Sequence, residues 1–194
     1  MSDFLTKIGI DPQQHSADYQ AIGDLVHPQS VAKGTVLQRA GDSVSNVFYV
    51  KKGLLRSYTI DGNGKIHIFM FAPEGWIIAD SVMPDEPCEL YIDALEHSEI
   101  EMIGKKPFDE ALHVIGNSHD RSRNLFRRIR VLQHRVIMLM SASALERYDH
   151  FLAAYPDIIQ RVPQKMVASY LGITPEALSK VKGDRARLQK KQTE

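Results

Sequence analysis

A chain of 194 residues that is 43% hydrophobic, with 24 basic and 24 acidic side chains, can bury a real core and carries no formal net charge. Its single cysteine, Cys88, excludes an intramolecular disulfide and four-cysteine metal or cluster ligation within one chain, and a reducing cytoplasm fits that usage. No basic leader followed by an apolar core opens the sequence and no apolar run approaches a bilayer span, so neither export nor a membrane partner is expected.

The zero net charge hides two unlike halves. Residues 1–110 hold 9 lysines and arginines against 17 acids, a net of −8, and residues 111–194 hold 15 against 7, a net of +8. Such asymmetry predicts a basic part that meets an anionic partner and an acidic part that does not.

Residues 3–9 and 15–27 read as short helices ending near His27-Pro28. The pattern then changes to short β-branched and aromatic runs at Thr35–Gln38, Val47–Val50, Leu54–Ile60 and Lys65–Phe71. They are broken by Gly34, Gly41-Asp42, Gly53, Asp61-Gly62-Asn63-Gly64 and Pro73-Glu74-Gly75. Two more strands are predicted at Leu90–Leu95 and Glu99–Ile103, and a helix over Lys106–Ile115. Many short strands with regular turn signals predict a β-sandwich or jelly roll, with Trp76 packed in it.

A long helix is expected from Asp120 to Ala154, since no glycine or proline interrupts it, although Ser141, Ala142 and Ser143 are residues that bend helices. Leu125, Ile129, Leu132, Val136, Leu139 and Ser143 step by four and three residues along one narrow face. That seam either packs on its own domain or pairs with an identical chain about a two-fold axis. Arg121, Arg123, Arg127, Arg128, Arg130 and Arg135 fall mostly off it, either as a solvated face or as partners of acidic neighbours.

From Gln164 onward, Val167, Ala168, Leu171, Gly172, Ile173, Leu178 and Val181 meet the needs of a helix-turn-helix: a small residue at the crossing, a glycine for the turn, and apolar residues beneath both helices. Thr174 suits the N-cap of the second helix and Pro175 its first position, while Lys180, Lys182 and Arg185 add positive charge. No Gly-rich phosphate loop, nucleophile elbow or His-Glu-x-x-His is present, and His67, His97, His113 and His119 show no metal-ligand spacing. An enzyme, a cofactor and a resident metal are therefore not expected.

Lys33-Gly34, Gly41-Asp42, the apolar Val47–Val50 and Gly53, in this order and spacing, resemble the cyclic-nucleotide-binding β-roll of the Crp/Fnr family of bacterial transcription regulators. The helix-turn-helix and its Arg161-Val162-Pro163 entry resemble that family's C-terminal domain. The resemblance implies an α+β fold: a jelly roll (double-stranded β-helix) sensor domain with flanking helices over residues 1–118, a dimerisation helix over 119–142, and a small all-α helix-turn-helix DNA-binding domain over 143–194. Leu125, Ile129, Leu132, Val136 and Leu139 become the dimer seam.

Carried over by position, the family's phosphate cassette falls on Ala79, Asp80, Ser81, Cys88 and Glu89. Members that bind cyclic AMP place a glutamate where Asp80 stands, on a ribose hydroxyl, and an arginine where Cys88 stands, on the phosphate. A thiol in place of that arginine, among Asp80, Asp85, Glu86 and Glu89, removes the cation and adds like charge worth about 1 to 4 kcal/mol per close pair. Cyclic AMP is thus not the expected effector; a different small molecule, neutral or cationic, and no ligand at all stay open.

The family reads bases early in its second helix, which falls on Pro175, Glu176 and Lys180 here; Glu176 suits a cytosine amino group and Lys180 a guanine edge. Pro175 cannot replace the arginine the family places there. Thr174, Ser179 and Lys182 are the expected phosphate contacts. The polar end RARLQKKQTE lacks strand formers and resembles the wingless members. The implied partners are double-stranded DNA at a palindromic site, a second copy of the chain, a small effector and RNA polymerase. The alternative is a sensor or interaction protein whose degenerate helix-turn-helix does not bind DNA.

Overall fold

In the computed structural model the described residues form eight strands in two antiparallel four-stranded sheets, six of them from the apolar–polar runs between glycine and proline turns. The structure describes residues 3–8, 16–83, 86–115 and 118–193, in two compact units, Met1–Asn117 and Ser118–Glu194.

In the first unit, β1 (His27–Val31), β8 (Ser98–Gly104), β3 (Asn46–Lys52) and β6 (Ile77–Ala79) lie side by side in that order. The second sheet runs β2 (Val36–Gln38), β7 (Tyr91–Ala94), β4 (Leu55–Ile60) and β5 (Ile66–Ala72). Phe48, Val50, Ile78 and Ile100 from the first sheet and Leu55, Ala72, Ile92 and Ala94 from the second form one buried core. This is the expected α+β jelly roll.

A second core lies where α1 (Asp3–Lys7), α2 (Ser16–Gly23) and α3 (Lys105–Ile115) meet the roll. Phe4, Leu5, Ile22 and Phe108 pack there with Val47 and Ile103, and the Phe4 and Phe108 rings stack 5.7 Å apart. The Phe4 N–H donates to the buried Glu101 carboxylate at 3.1 Å, and Lys51 bridges Glu101 and Asp3.

Three sequence expectations change. The second helix ends at Gly23 rather than near His27, and His27–Val31 is a strand paired with β8; its Pro28 is tolerated because β1 is an edge strand. The helix expected over 120–154 is two helices, α4 (Ser118–Ser141) and α5 (Ala144–Ala154). Ser141 bonds back to the Ile137 carbonyl, and Ser143, expected on the seam, is the N-cap of α5 in a reciprocal capping box with Glu146. Trp76 is 38% exposed at the surface of the roll instead of packed within it.

Two glycines carry the geometry. Gly53, at φ 99°, leaves no room for a side chain, because a Cβ there would lie 2.3 Å from Ser98 Oγ. That hydroxyl accepts the Leu54 N–H at 3.2 Å. Gly64, at φ 78°, closes the β4–β5 hairpin, where Asp61 accepts the Asn63 and Lys65 N–H groups and pairs with His67 at 2.8 Å. The His67 hydrogen bond first, then the two backbone donors, hold the Asp61 carboxyl down to about 2.

Candidate functional site

The second unit ends in α6 (Ile158–Arg161), α7 (Gln164–Leu171) and α8 (Pro175–Thr193). Gly172 caps α7 in the left-handed conformation, φ 67° and ψ 31°, and the Ile173 N–H returns to the Ala168 carbonyl at 3.0 Å. Val167, Ala168, Leu171, Leu178 and Val181 are buried beneath α7 and α8, with Tyr148, Phe151 and Tyr155. This is a helix-turn-helix built from the residues that predict it. Arg147 donates to the Leu171 carbonyl at 2.8 Å and so satisfies an orphan acceptor at the α7 end.

Pro175 opens α8 as its first residue. Thr174 caps it: its hydroxyl accepts the Ala177 N–H at 3.2 Å. The Glu176 carboxyl lies below its ordinary value because its own backbone N–H and the Thr174 hydroxyl donate to it, so Glu176 is ionised and held at the helix start. Thr174, Glu176, Ser179 and Lys180 are exposed and Lys182 half-buried. By helical spacing Glu176, Ser179 and Lys180 share one face. The residues expected to form a polar tail continue α8 instead, giving 19 residues, or about 28 Å of helix. Arg185 is ion-paired with Asp149 of α5, which braces α8 from behind.

On α4, Ile129, Leu132, Val136 and Leu139 are all exposed, and the Leu125 side chain lies outside the described ones. Phe126, Ile137 and Met140 are exposed on the flank beside them, so the apolar face is broader than the narrow seam. Leu139 has a second role: its Cδ2 lies within 3.6 Å of where a Cβ of Gly172 would stand, against the helix-turn-helix turn. Arg135, expected on a solvated face, sits over the Tyr170 ring at 4.0 Å.

The cassette residues do not converge on one surface. Asp80 is 3% exposed and its Oδ2 accepts the Glu89 and Leu90 N–H groups at 2.8 and 2.7 Å, so it anchors the loop that follows. Cys88 is buried too, its N–H on the Asp42 carbonyl and its own carbonyl on the Gly41 N–H. Burial, with the Asp80 and Asp42 charges adding, raises the Cys88 thiol. Ser81 and Glu89 are exposed, Ala79 packs towards the helix-side core, and Asp85 of the acidic run lies outside the described residues.

Gln38 escaped the sequence reading. It is 1% exposed, and its amide donates to Asp80 at 3.4 Å and to the Leu90 carbonyl at 3.1 Å, tying the loop to β2. A glutamine closing an apolar strand was the available signal. Ser57, level with Ile92 and Met70 in the roll core, has a buried hydroxyl with no hydrogen-bond partner. Among the described residues no three histidines, cysteines or carboxylates gather as a metal site, and no helix is long and apolar enough to cross a membrane.

Residues 28–114 match the family described as the cyclic nucleotide-binding domain. The transcriptional activator protein FnrA of Stutzerimonas stutzeri is 27% identical over 177 residues, covering 84% of this chain and 72% of the relative. The regulatory protein HlyX of Actinobacillus pleuropneumoniae is 26% identical over 168 residues, covering 79% and 69%. The solved structure of FixK2 from Bradyrhizobium japonicum has the same fold, with a TM-score of 0.69 at 18% identity over 84% of this chain and 86% of that one. A nucleotide-binding-type β-roll followed by a helix-turn-helix, with regulators as relatives over both units, makes this chain similar to the regulators of the Crp/Fnr family.

Proposed function

We propose that this protein is a DNA-binding transcription regulator that acts as a homodimer. The observation that carries the reading is the exposed face of α8, where Glu176, Ser179 and Lys180 project from a helix-turn-helix that buries Leu178 and Val181 beneath it. Lys180 reads a guanine edge and Glu176 a cytosine amino group, while Thr174, Ser179 and Lys182 lie at phosphates. The regulators among its relatives support the same reading. The exposed apolar face of α4 supports pairing with a second copy, which sets two α8 helices on the half-sites of a palindrome.

The roll is read as the sensor. With Cys88 buried where the family's phosphate arginine falls, and Asp80 committed to backbone donors, its cassette lacks the cation a cyclic nucleotide needs, and the effector is a molecule other than cyclic AMP. RNA polymerase is the further partner of such a regulator, and the reading assigns no catalytic activity. A second reading, a sensor whose helix-turn-helix no longer reads DNA, is favoured by Pro175, which cannot make the base contact expected there.

Selection from a random duplex pool, with and without cyclic AMP, tests these readings together. Enrichment of a palindrome without nucleotide supports the proposal, and enrichment only with nucleotide overturns the reading of the pocket. A lack of enrichment in both arms, with an affinity that does not fall steeply with salt, favours the second reading.

A further inference from the structure

α4 and α5 meet at an elbow, Ala142-Ser143, and on either side of it two exposed histidines face each other. His134 of α4 and His150 of α5 have ring centroids 5.0 Å apart with planes inclined by 45°. Among the described residues neither imidazole makes a hydrogen bond or an ion pair that would account for the approach. The carboxylates nearest in sequence are engaged elsewhere: Glu146, one turn before His150, closes the Ser143 capping box, and Asp149 holds Arg185.

The separation has a chemical meaning. A tetrahedral ion about 2.0–2.1 Å from one nitrogen of each ring sets the two ring centres about 5 Å apart. Neutral imidazole is a preferred ligand of zinc, copper and nickel, whereas magnesium and calcium take oxygen donors. We propose that His134 and His150 form a two-imidazole site for a divalent transition-metal ion of the zinc, nickel and copper class. Each ring binds through one nitrogen in its neutral form, and water completes the coordination. The chelate joins residues on both sides of the helix break, so a bound ion stiffens the elbow that carries α5 and, through Asp149 and Arg185, the base of α8.

The test is calorimetric titration of the full chain with Zn2+, compared with His134→Gln and His150→Gln. Both rings are exposed, so both variants keep the fold, which circular dichroism checks. The expected result is one Zn2+ per chain, weakened at least about tenfold by either substitution, with a Zn2+-dependent rise in Tm that either variant loses. Equal Zn2+ affinity in all three proteins places the ion on the other six of the eight histidines and overturns the site, as does no binding to the unsubstituted chain.

Discussion

Arg56 on β4 and Asp93 on β7 meet in a two-pronged ion pair, Nε to Oδ1 and Nη2 to Oδ2 both at 2.8 Å, with the residues only 8% and 7% exposed. Burial alone would lower the Arg56 pKa, but the Asp93 carboxylate outweighs it and the net shift is upward, so the guanidinium stays charged. The pair joins strands neighbouring in the sheet but far apart in the chain, and Arg56 lies 4.4 Å over the Tyr58 ring. Asp93→Asn strands a buried cation and should cost about 3–5 kcal/mol in urea unfolding, whereas Arg56→Met with Asp93→Leu should recover most of that loss. A double variant no more stable than the single one would show that the pair does more than cancel its own charges.

Gly53→Ala should destabilise the roll by several kcal/mol. The new methyl collides with Ser98 at a positive φ, and relief requires moving the hydroxyl that satisfies the Leu54 N–H. Gly34→Ala, also at positive φ but with open space around it, should cost only the conformational term, about 1 kcal/mol, and thermal melts of the two should separate clearly.

The β4–β5 hairpin should respond to acid. Asp61 has its folded pKa depressed to about 2 from an ordinary 3.8, so its contribution is fully present above the unfolded value and is lost as pH falls from about 4 towards 2. The stability gap between the parent chain and Asp61→Asn should narrow across that window. Carboxyl-carbon NMR titration of Asp61 reports the same depression directly, and an undepressed value would remove the His67 contact from the account.

Leu132→Asp should convert a dimer into a monomer without loss of helix content. Two copies of the side chain leave the apolar face together, which removes about 3 kcal/mol or more of burial and adds two charges to it. Sedimentation equilibrium reads the change. A dimer that survives it would place the self-contact elsewhere than on α4.

Lys180→Ala should weaken binding to the selected site by about 1–3 kcal/mol and relax preference at one base position, while Lys182→Ala should weaken all duplexes alike and lower the salt slope by about one. Competition binding with single-base variants of the site separates the two. The reverse pattern would exchange their assignments.

Much of the fold was legible because its signals are local. Six of the eight strands follow from alternation between glycine and proline turns, and the helix-turn-helix follows from Ala168, Gly172 and Pro175, whose demands are set within a few residues. β1 and β6 were not legible: His27-Pro28-Gln29-Ser30-Val31 has no apolar alternation, and Ile77–Ala79 is three residues long. Edge strands of that kind exist only because β8 and β3 offer free backbone partners, and those partners come from distant parts of the chain.

The site divides the same way. Composition, the lone cysteine, the charge asymmetry and the capping residues of α8 belong to the sequence by itself, since each depends on residue identity or on neighbours within one helical turn. Only tertiary structure decided that Asp80 anchors a loop, that Gln38 supports it, that Arg56 is buried against Asp93, and that an elbow at Ser143 brings His134 to His150. Burial and partner choice are properties of the packed whole, and one side chain's chemistry cannot announce which other will stand beside it.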